Sequence, residues 1–514
     1  MPSIRQLAGR LICPVLPGVP ASEAPRLVSD LESHGWGGYI VFRGRPDLPD
    51  LLTSLQSASP HPLLIAADIE WGAGQQIAGA TFLPCLMAIG AARDEDLAYE
   101  AGRITAIEAR AAGVNWAFAP VADVNVNPRN PIINIRSFGE DPESVARLAA
   151  AWVRGAQDHG LMATAKHFPG HGDTAVDSHS RLPTIAADRQ RIDRVELAPF
   201  RACVEAGVGS IMTAHLAVPA LDPSGLPATL SEPIMTGVLR RELGFGGLLV
   251  TDALIMGGIT ASWTEEDAVA AALNAGCDML LMPRDAAAAH EAVQAAIESG
   301  KVPLARVEEA IARIDQALAR LGLDTDRLPR GPAGVDYGAN QAFARELAGK
   351  AVTLVRDPGV LPLGSQDFAV IIDDDGDLDY DHVLPRDLDR RGVGWGIVRA
   401  GMDQAERAAV LDRARGSRAV LVPIFSQIKA WKDRSDLPEE LAEVVRQLSR
   451  EFSKAVVVTF ANPYLLQQFP DVAGYACAYG GLDDQQLAAL AALFGEAGFP
   501  GSLPVTIEPA TTTA

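Results

Sequence analysis

Cysteine is scarce in this chain, and acidic residues outnumber basic ones. Cys13, Cys85, Cys203, Cys277 and Cys477 are the only five in 514 residues, an odd set without paired spacing. That pattern argues against a disulfide framework or a cysteine-rich zinc module and predicts reduced thiols in a cytoplasmic protein. Lys plus Arg total 44 against 65 Asp plus Glu, for a net charge of −21. Such a surface lacks the basic footprint that nucleic acid or an anionic membrane requires. No run reaches the roughly 18 uninterrupted apolar residues of a membrane-crossing helix. The opening "MPSIRQLAGRLICPVLPG" holds only a short apolar run and no convincing small-residue cleavage site, so it reads as a first core strand.

What is present is a repeating pattern. Short apolar runs recur at 11–16, 38–43, 63–68, 115–120, 162–169, 210–215, 247–254 and 278–283, each ending at or near Pro, Gly, Asp or His. Nearly continuous apolar runs suit parallel strands buried on both faces. Between them lie helical stretches such as "EDLAYEAGRITAIEARAAG" and "SVARLAAAWVRGAQDHG", each closing in Gly. Eight alternating units predict a (β/α)8 barrel over residues 1–325, with a doubly wound open sheet as the competing architecture. A Gly-, Pro- and Asp-rich linker is expected at 326–344. A second alternating series follows at 368–373, 393–398, 419–425, 455–461 and 474–479. It predicts a smaller α/β sandwich over 345–514, with no GxGxxG or Walker A pattern to demand a nucleotide. The acidic run 372–381 reads as a solvated loop, with a weak cation site as the alternative, and the closing "EPATTTA" as a frayed tail.

Asp68, Lys166, His167, His215 and Asp252 all fall at or near the C-terminal ends of apolar runs, the end where barrel enzymes assemble their sites. The densest polar stretch is "KHFPGHGDTAVDSHSRLP", which gathers His167, His171 and His179, three of only nine histidines, into residues 166–183. A metal site would use those histidines with Asp173 or Asp177. However, HExxH is absent, and Gly–Pro turns do not place two histidines on one helical face. Loop capping suits His171, Asp173 and Ser178. General acid/base chemistry suits "DSH", because Asp177 can accept one ring N–H of His179 and leave the other nitrogen for a substrate. Asp252, ending the strand of "GGLLVTDALIMGG", is either a structural cap or a nucleophile. Paired with a proton donor it suits retaining glycoside cleavage, while acyl transfer and aldol-type chemistry stay open.

"KHFPGHGDTAVDSHSRLP", "INIRSFGEDP", "FAPVADVNVNP", "MTAHLAVPALDPSGLPATLS" and "LLVTDALIMGG" together resemble glycoside hydrolase family 3, and within it the N-acetyl-β-glucosaminidase branch. The resemblance runs from about residue 5 to 325 and continues more weakly through "AVTLVRD" and "FANPYLL". It implies Asp252 as nucleophile, His179 as acid/base and Asp177 as its dyad partner. It also implies that Lys166, His167, Arg136 and Asp68 hold the hydroxyls and acetamido group of a terminal β-linked N-acetylglucosamine. No metal or organic cofactor is implied, and the partner is a small carbohydrate substrate, with inorganic phosphate as an alternative acceptor to water.

A β-glucosidase of the same family and a non-enzymatic sugar-binding barrel compete with this assignment. The sugar-binding barrel would have little reason to keep Asp252 together with Asp177 and His179. Asp123 and Asp278 read as structural or supporting carboxylates, His215 as a pocket or core residue, and Trp71 as a sugar platform or core. In one respect the chain departs from the pattern. Many members carry D-Q-E-G-G-R-V-Q-R after the third strand; here "DIEWGAGQQ" keeps Asp68 and Glu70 but puts Ala73 and Gln76 at the arginine positions. Recognition of a cell-wall muropeptide on the acceptor side is therefore in question.

Overall fold

The structure is a computed structural model that describes residues 2–18, 23–42, 47–326, 334–357, 359–376, 378, 382–429 and 432–507. The tail 508–514, most of the linker's first half, Arg43 and four residues of the acidic run lie outside the described residues. Two compact units divide the chain. One comprises Met1–Leu83, Glu95–Val124 and Pro142–Asn340; the other comprises Pro84–Asp94, Asn125–Asp141 and Gln341–Ala514.

The first unit holds eight strands: β1 (Ile12–Cys13), β2 (Gly38–Val41), β3 (Leu64–Ala67), β4 (Trp116–Ala117), β5 (Thr164–Phe168), β6 (Ser210–Thr213), β7 (Leu248–Val250) and β8 (Leu280–Leu281). Every residue of β2, β3, β5, β6 and β7 is buried, as their unbroken apolar runs require. Parallel ladders join β2–β3–β4, β5–β6–β7 and β1–β8. Parallel bridges Val15–Ile40, Trp116–Met162 and Val250–Met279 close the gaps between β1 and β2, β4 and β5, and β7 and β8. The circle is complete, so the architecture is a barrel, not an open doubly wound sheet.

Helices 95–111 and 142–157 show how the outer layer is fitted. Buried Val145, Leu148, Ala149, Trp152, Val153 and Ala156 form one stripe at helical spacing. Two glycines let the backbones touch: a Cβ at Gly102 would stand 2.3 Å from Trp152 O, and one at Gly155 would stand 1.9 Å from Tyr99 O.

In the second unit the sheet order is β11–β10–β12–β13–β14–β9. Its strands are β9 (Thr353–Arg356), β10 (Phe368–Asp373), β11 (Gly394–Arg399), β12 (Val420–Phe425), β13 (Ala455–Thr459) and β14 (Gly474–Cys477). Five run parallel, and β9 pairs antiparallel with β14 at one edge. Two findings differ from what the sequence predicts. The expected linker is helical from Tyr337 to Ala351. Segments 84–94 and 125–141, expected in the barrel, belong to the second unit. They are bound there by Cys85 Sγ to Tyr479 O (3.0 Å), Asn125 Nδ2 to Tyr464 Oη (3.1 Å) and Glu140 N to Pro504 O (3.2 Å).

All five cysteines are buried free thiols, and burial pushes Cys85, Cys203 and Cys277 up to about 12. Among the described residues no helix is long and apolar enough to cross a membrane.

Asp278, just before β8, is the ionic hub of the barrel unit. Its sealed carboxylate accepts from Arg240 (2.6 Å), Arg306 (2.6 Å), Arg313 (2.9 Å) and Leu249 N (2.9 Å), which makes it structural. Removing it leaves Arg240 with carbonyl acceptors only and Arg306 and Arg313 with the exposed Glu309 as their remaining carboxylate, all three guanidinium groups being largely shielded from solvent. Asp278→Ala should therefore lose about 3–5 kcal/mol of stability, read as a lowered urea midpoint with the far-ultraviolet dichroism unchanged before the transition.

Candidate active site

The C-terminal strand ends bring the barrel's candidate residues together. Lys166, in β5, is 2% exposed, and its ammonium lies 2.8 Å from Asp68 Oδ1 and 2.7 Å from Glu70 Oε1. A buried ammonium is tolerated where carboxylates surround it. Glu70 is thus as much a part of this group as Asp68, although the sequence alone assigns it no role.

Beside Lys166, the His167 ring donates its Nδ1–H to Asp123 Oδ2 at 2.7 Å. The same carboxylate accepts the backbone N–H of His167 (3.2 Å) and of His171 (2.6 Å). Burial pushes Asp123 up, but the two histidines and these hydrogen bonds outweigh it and hold the carboxyl below its ordinary value. Asp123 is therefore an anion that fixes the His167 tautomer and directs Nε2 away from itself.

Both ring nitrogens of His171 are engaged within the loop. Its Nε2 lies 2.9 Å from Ser178 Oγ and its Nδ1 2.8 Å from Thr174 Oγ1, so it staples the two halves of the loop. Burial lowers it to about 4, which keeps it neutral. His179 donates its Nδ1–H to Asp177 Oδ1 at 2.7 Å, and its backbone N–H reaches the same oxygen at 2.9 Å. Asp177 is sealed from solvent while the His179 side chain is 20% exposed, so the imidazole's outer edge is the accessible part of the pair. With each ring engaged by protein partners, no group of three or more His, Cys, Asp or Glu converges as a cation site among the described residues.

Asp252 follows β7, half-buried. Its Oδ1 accepts the Ala253 N–H at 2.8 Å and its own N–H donates to Thr213 Oγ1 at 3.2 Å. Burial pushes this carboxyl up, but His167, His215, His179 and the Ala253 N–H together hold it below its ordinary value. Those three imidazoles act on Asp252 from β5, from just beyond β6 and from the loop beyond β5, so one ionised carboxylate stands in a field of histidines.

His215 is fully buried; its Nε2–H donates to Ala253 O (3.0 Å) and its Nδ1 lies 2.7 Å from Thr229 Oγ1. It therefore braces the peptide next to Asp252. Thr213 and Thr229, 2.8 Å apart, complete that brace, and neither stands out in the sequence. Trp71 is half-buried with an unpartnered indole N–H. Arg136 lies in the second unit, where its guanidinium donates to Ile132 O at 2.8 Å.

The two halves of the constellation are joined through backbone. Gly257 N–H donates to His179 O and Gly258 N–H to Ser178 O, both at 2.9 Å. This approach needs glycine: a Cβ on Gly258 would stand 2.9 Å from His215 Cβ and 3.2 Å from Ser178 O. Gly258→Ala should displace the His179 loop from Asp252 and lower turnover by about 10²-fold with the fold intact, checked by steady-state kinetics beside circular dichroism. A variant with unchanged turnover would show that this joint does not set the geometry.

A family model described as "Glycosyl hydrolase family 3 N terminal domain" matches residues 18–317. A relative from Cellulomonas fimi named "Beta-N-acetylglucosaminidase/beta-glucosidase" is 33% identical over 497 residues, covering 89% of this chain and 86% of its own. Among solved structures, a glycoside hydrolase family 3 beta-N-acetylglucosaminidase from Paenibacillus sp. str. FPU-7 superposes with a TM-score of 0.89 at 31% identity, covering 99% of this chain and all (100%) of its own. A beta-glucoside phosphorylase superposes at 0.88 with 26% identity over 98% of this chain and 94% of its own.

Proposed function

Because the chain belongs to glycosyl hydrolase family 3, we propose that it is a retaining β-N-acetylglucosaminidase working through a covalent glycosyl–aspartate. The observation that carries this reading is the ionised Asp252 beside a solvent-reachable His179 whose other ring nitrogen is bound to sealed Asp177.

In the first step the Asp252 carboxylate attacks the anomeric carbon while His179 Nε2–H protonates the departing glycosidic oxygen. The C1–O bond breaks, a C1–O bond to Asp252 forms, and the leaving group departs as an alcohol. In the second step the now neutral His179 takes a proton from water. The resulting hydroxide equivalent attacks C1 and returns the carboxylate of Asp252. Asp177 holds the ring in the tautomer that presents Nε2, and it stabilises the imidazolium when the proton returns. Lys166, fixed between Asp68 and Glu70, and His167, fixed by Asp123, supply an ammonium and an imidazole edge for sugar hydroxyls.

A second reading is favoured by one feature. The proton donor is an imidazole and not a carboxylate, so after the first step it carries no charge to repel phosphate. Two anions about 4 Å apart would cost on the order of 4 kcal/mol at a surface-like effective dielectric. An aryl N-acetyl-β-glucosaminide turned over with and without phosphate separates the two. Free N-acetylglucosamine in both supports hydrolysis, whereas the 1-phosphate appearing only with phosphate supports phosphorolysis. A panel of aryl glycosides differing at C2 and C4 tests the acetamido preference against a β-glucosidase.

Asp252→Asn should abolish glycosyl transfer and leave the fold intact; wild-type turnover would remove Asp252 from the mechanism. His179→Ala should cost about 10²–10⁴-fold on substrates with poor leaving groups, and much less on activated aryl glycosides. Equal losses on both would mark a binding residue. Asp177→Asn should reproduce much of the His179 effect by misdirecting the ring.

A further inference from the structure

The loop that leaves β5 has a second set of fixings besides those through Gly257 and Gly258. Arg191, in the helix Arg189–Arg194, donates from Nη2 to Asp173 Oδ2 on the loop (3.0 Å) and to Glu196 Oε1 (3.3 Å). The Asp188 side chain caps that helix on the Arg191 N–H at 2.8 Å, which fixes where the guanidinium starts from. Glu196 is only 2% exposed and lies against Gly170, the first bend of the loop. A Cβ on Gly170 would stand 2.9 Å from Glu196 Cβ and 3.1 Å from its Cγ, and the φ of +127° already asks for glycine. Glu196 Oε2 is buried and has no hydrogen-bond partner.

We propose that Arg191 and Glu196 are positioning residues: together they anchor the first half of the loop that carries His179, and so set how often His179 is presented to Asp252. The inference rests on the acid/base assignment of His179. Neither residue is assigned contact with substrate; they act through Gly170 and Asp173.

The anchor is sensitive to pH because of the unmatched oxygen. A sealed carboxylate with one unsatisfied oxygen is disfavoured as the anion, whereas the neutral acid fits. Burial raises Glu196 to about 7, with Asp173 adding to the rise and Arg191 opposing it. These two are the charged groups that face it, Arg191 from the helix and Asp173 from the loop. A carboxyl with a raised value favours the folded, anchored form fully below the ordinary glutamate value, and that advantage is lost as pH rises to about 7. Above that point the anion draws in water, the seat under Gly170 opens, and the loop loosens.

Arg181, exposed on the same loop and followed by Leu182, gives a readout that does not depend on activity. Trypsin cleavage at Arg181, normalised to cleavage of the denatured chain at each pH, should rise about tenfold between pH 6 and 8 as the ionised fraction of Glu196 goes from about a tenth to nine tenths. Glu196→Gln keeps the shape without the charge, and should hold cleavage at the low-pH level throughout. Arg191→Ala should raise it at every pH, with Arg191→Lys between. In parallel, kcat on a poor leaving group should follow loop order while KM moves little.

If Glu196→Gln keeps the wild-type pH dependence of cleavage, the anchor is wrong. If cleavage changes as expected while kcat does not, the loop is anchored but the residues are not positioning residues, and that also overturns the proposal. Failure of the His179 assignment is seen separately, as equal losses on activated and unactivated substrates in His179→Ala.

Discussion

A carboxylate sealed from solvent must be met by donors, and Asp123 is met by the His167 ring, the His167 N–H and the His171 N–H. The end of β5 depends on this interaction. It ties the last residues of β5 to the start of the loop, holds the His167 imidazole in one tautomer, and starts the loop at a fixed point. From there His171 staples Thr174 to Ser178, and Ser178 and His179 hand their carbonyls to Gly258 and Gly257. The path from Asp123 to the segment that carries Asp252 is therefore continuous hydrogen bonding. In the sequence it is legible only as a carboxylate of structural or supporting kind.

The electrostatics divide the histidines by task. His171 and His215 are buried and held below the ordinary value, so they remain neutral braces. His179 keeps an exposed edge, the condition for passing a proton to and from a substrate. Asp252 is pushed up by burial, but His167, His179 and the Ala253 N–H favour its ionised form. An arrangement of two carboxylates would make each resist the ionisation of the other. A histidine and a carboxylate can instead both be in their working states at one pH, with the histidine protonated and the aspartate not.

What can be read from residues alone follows the physics of each element. The barrel strands are visible because burial on both faces demands unbroken apolar runs, and Lys166, His167 and Asp252 are visible because they interrupt such runs at one end. β9 escapes such a reading: it is a four-residue edge strand that is mostly half-buried, so its pattern carries little signal. The assignment of 84–94 and 125–141 to the second unit is invisible because it rests on partners such as Tyr464 and Tyr479, more than 300 residues away. Thr213, Thr229, Arg191 and Glu196 are ordinary residue types whose role comes from contacts across strands and loops, so spacing does not single them out.

The loop after β3 shows how a local fold limits which side chains it can carry. Gly72 has a φ of +80°, and a Cβ on Gly74 would stand 2.6 Å from Ala80 O, so the segment folds tightly on itself. Thr81 then closes it onto Glu108, N–H to Oε2 at 2.6 Å and Oγ1 to Oε1 at 2.7 Å. Ala73 is fully buried inside this turn, so a guanidinium at that position would have to break it. From Asp68 to Leu83 the chain contains no Lys or Arg. The replacement of arginine by Ala73 is thus tied to a compact loop without a cation. An anionic group would find no positive charge on this loop, whereas Lys166 stands between Asp68 and Glu70. The tight turn at Ala73 therefore sets the charge of this loop as well as its path.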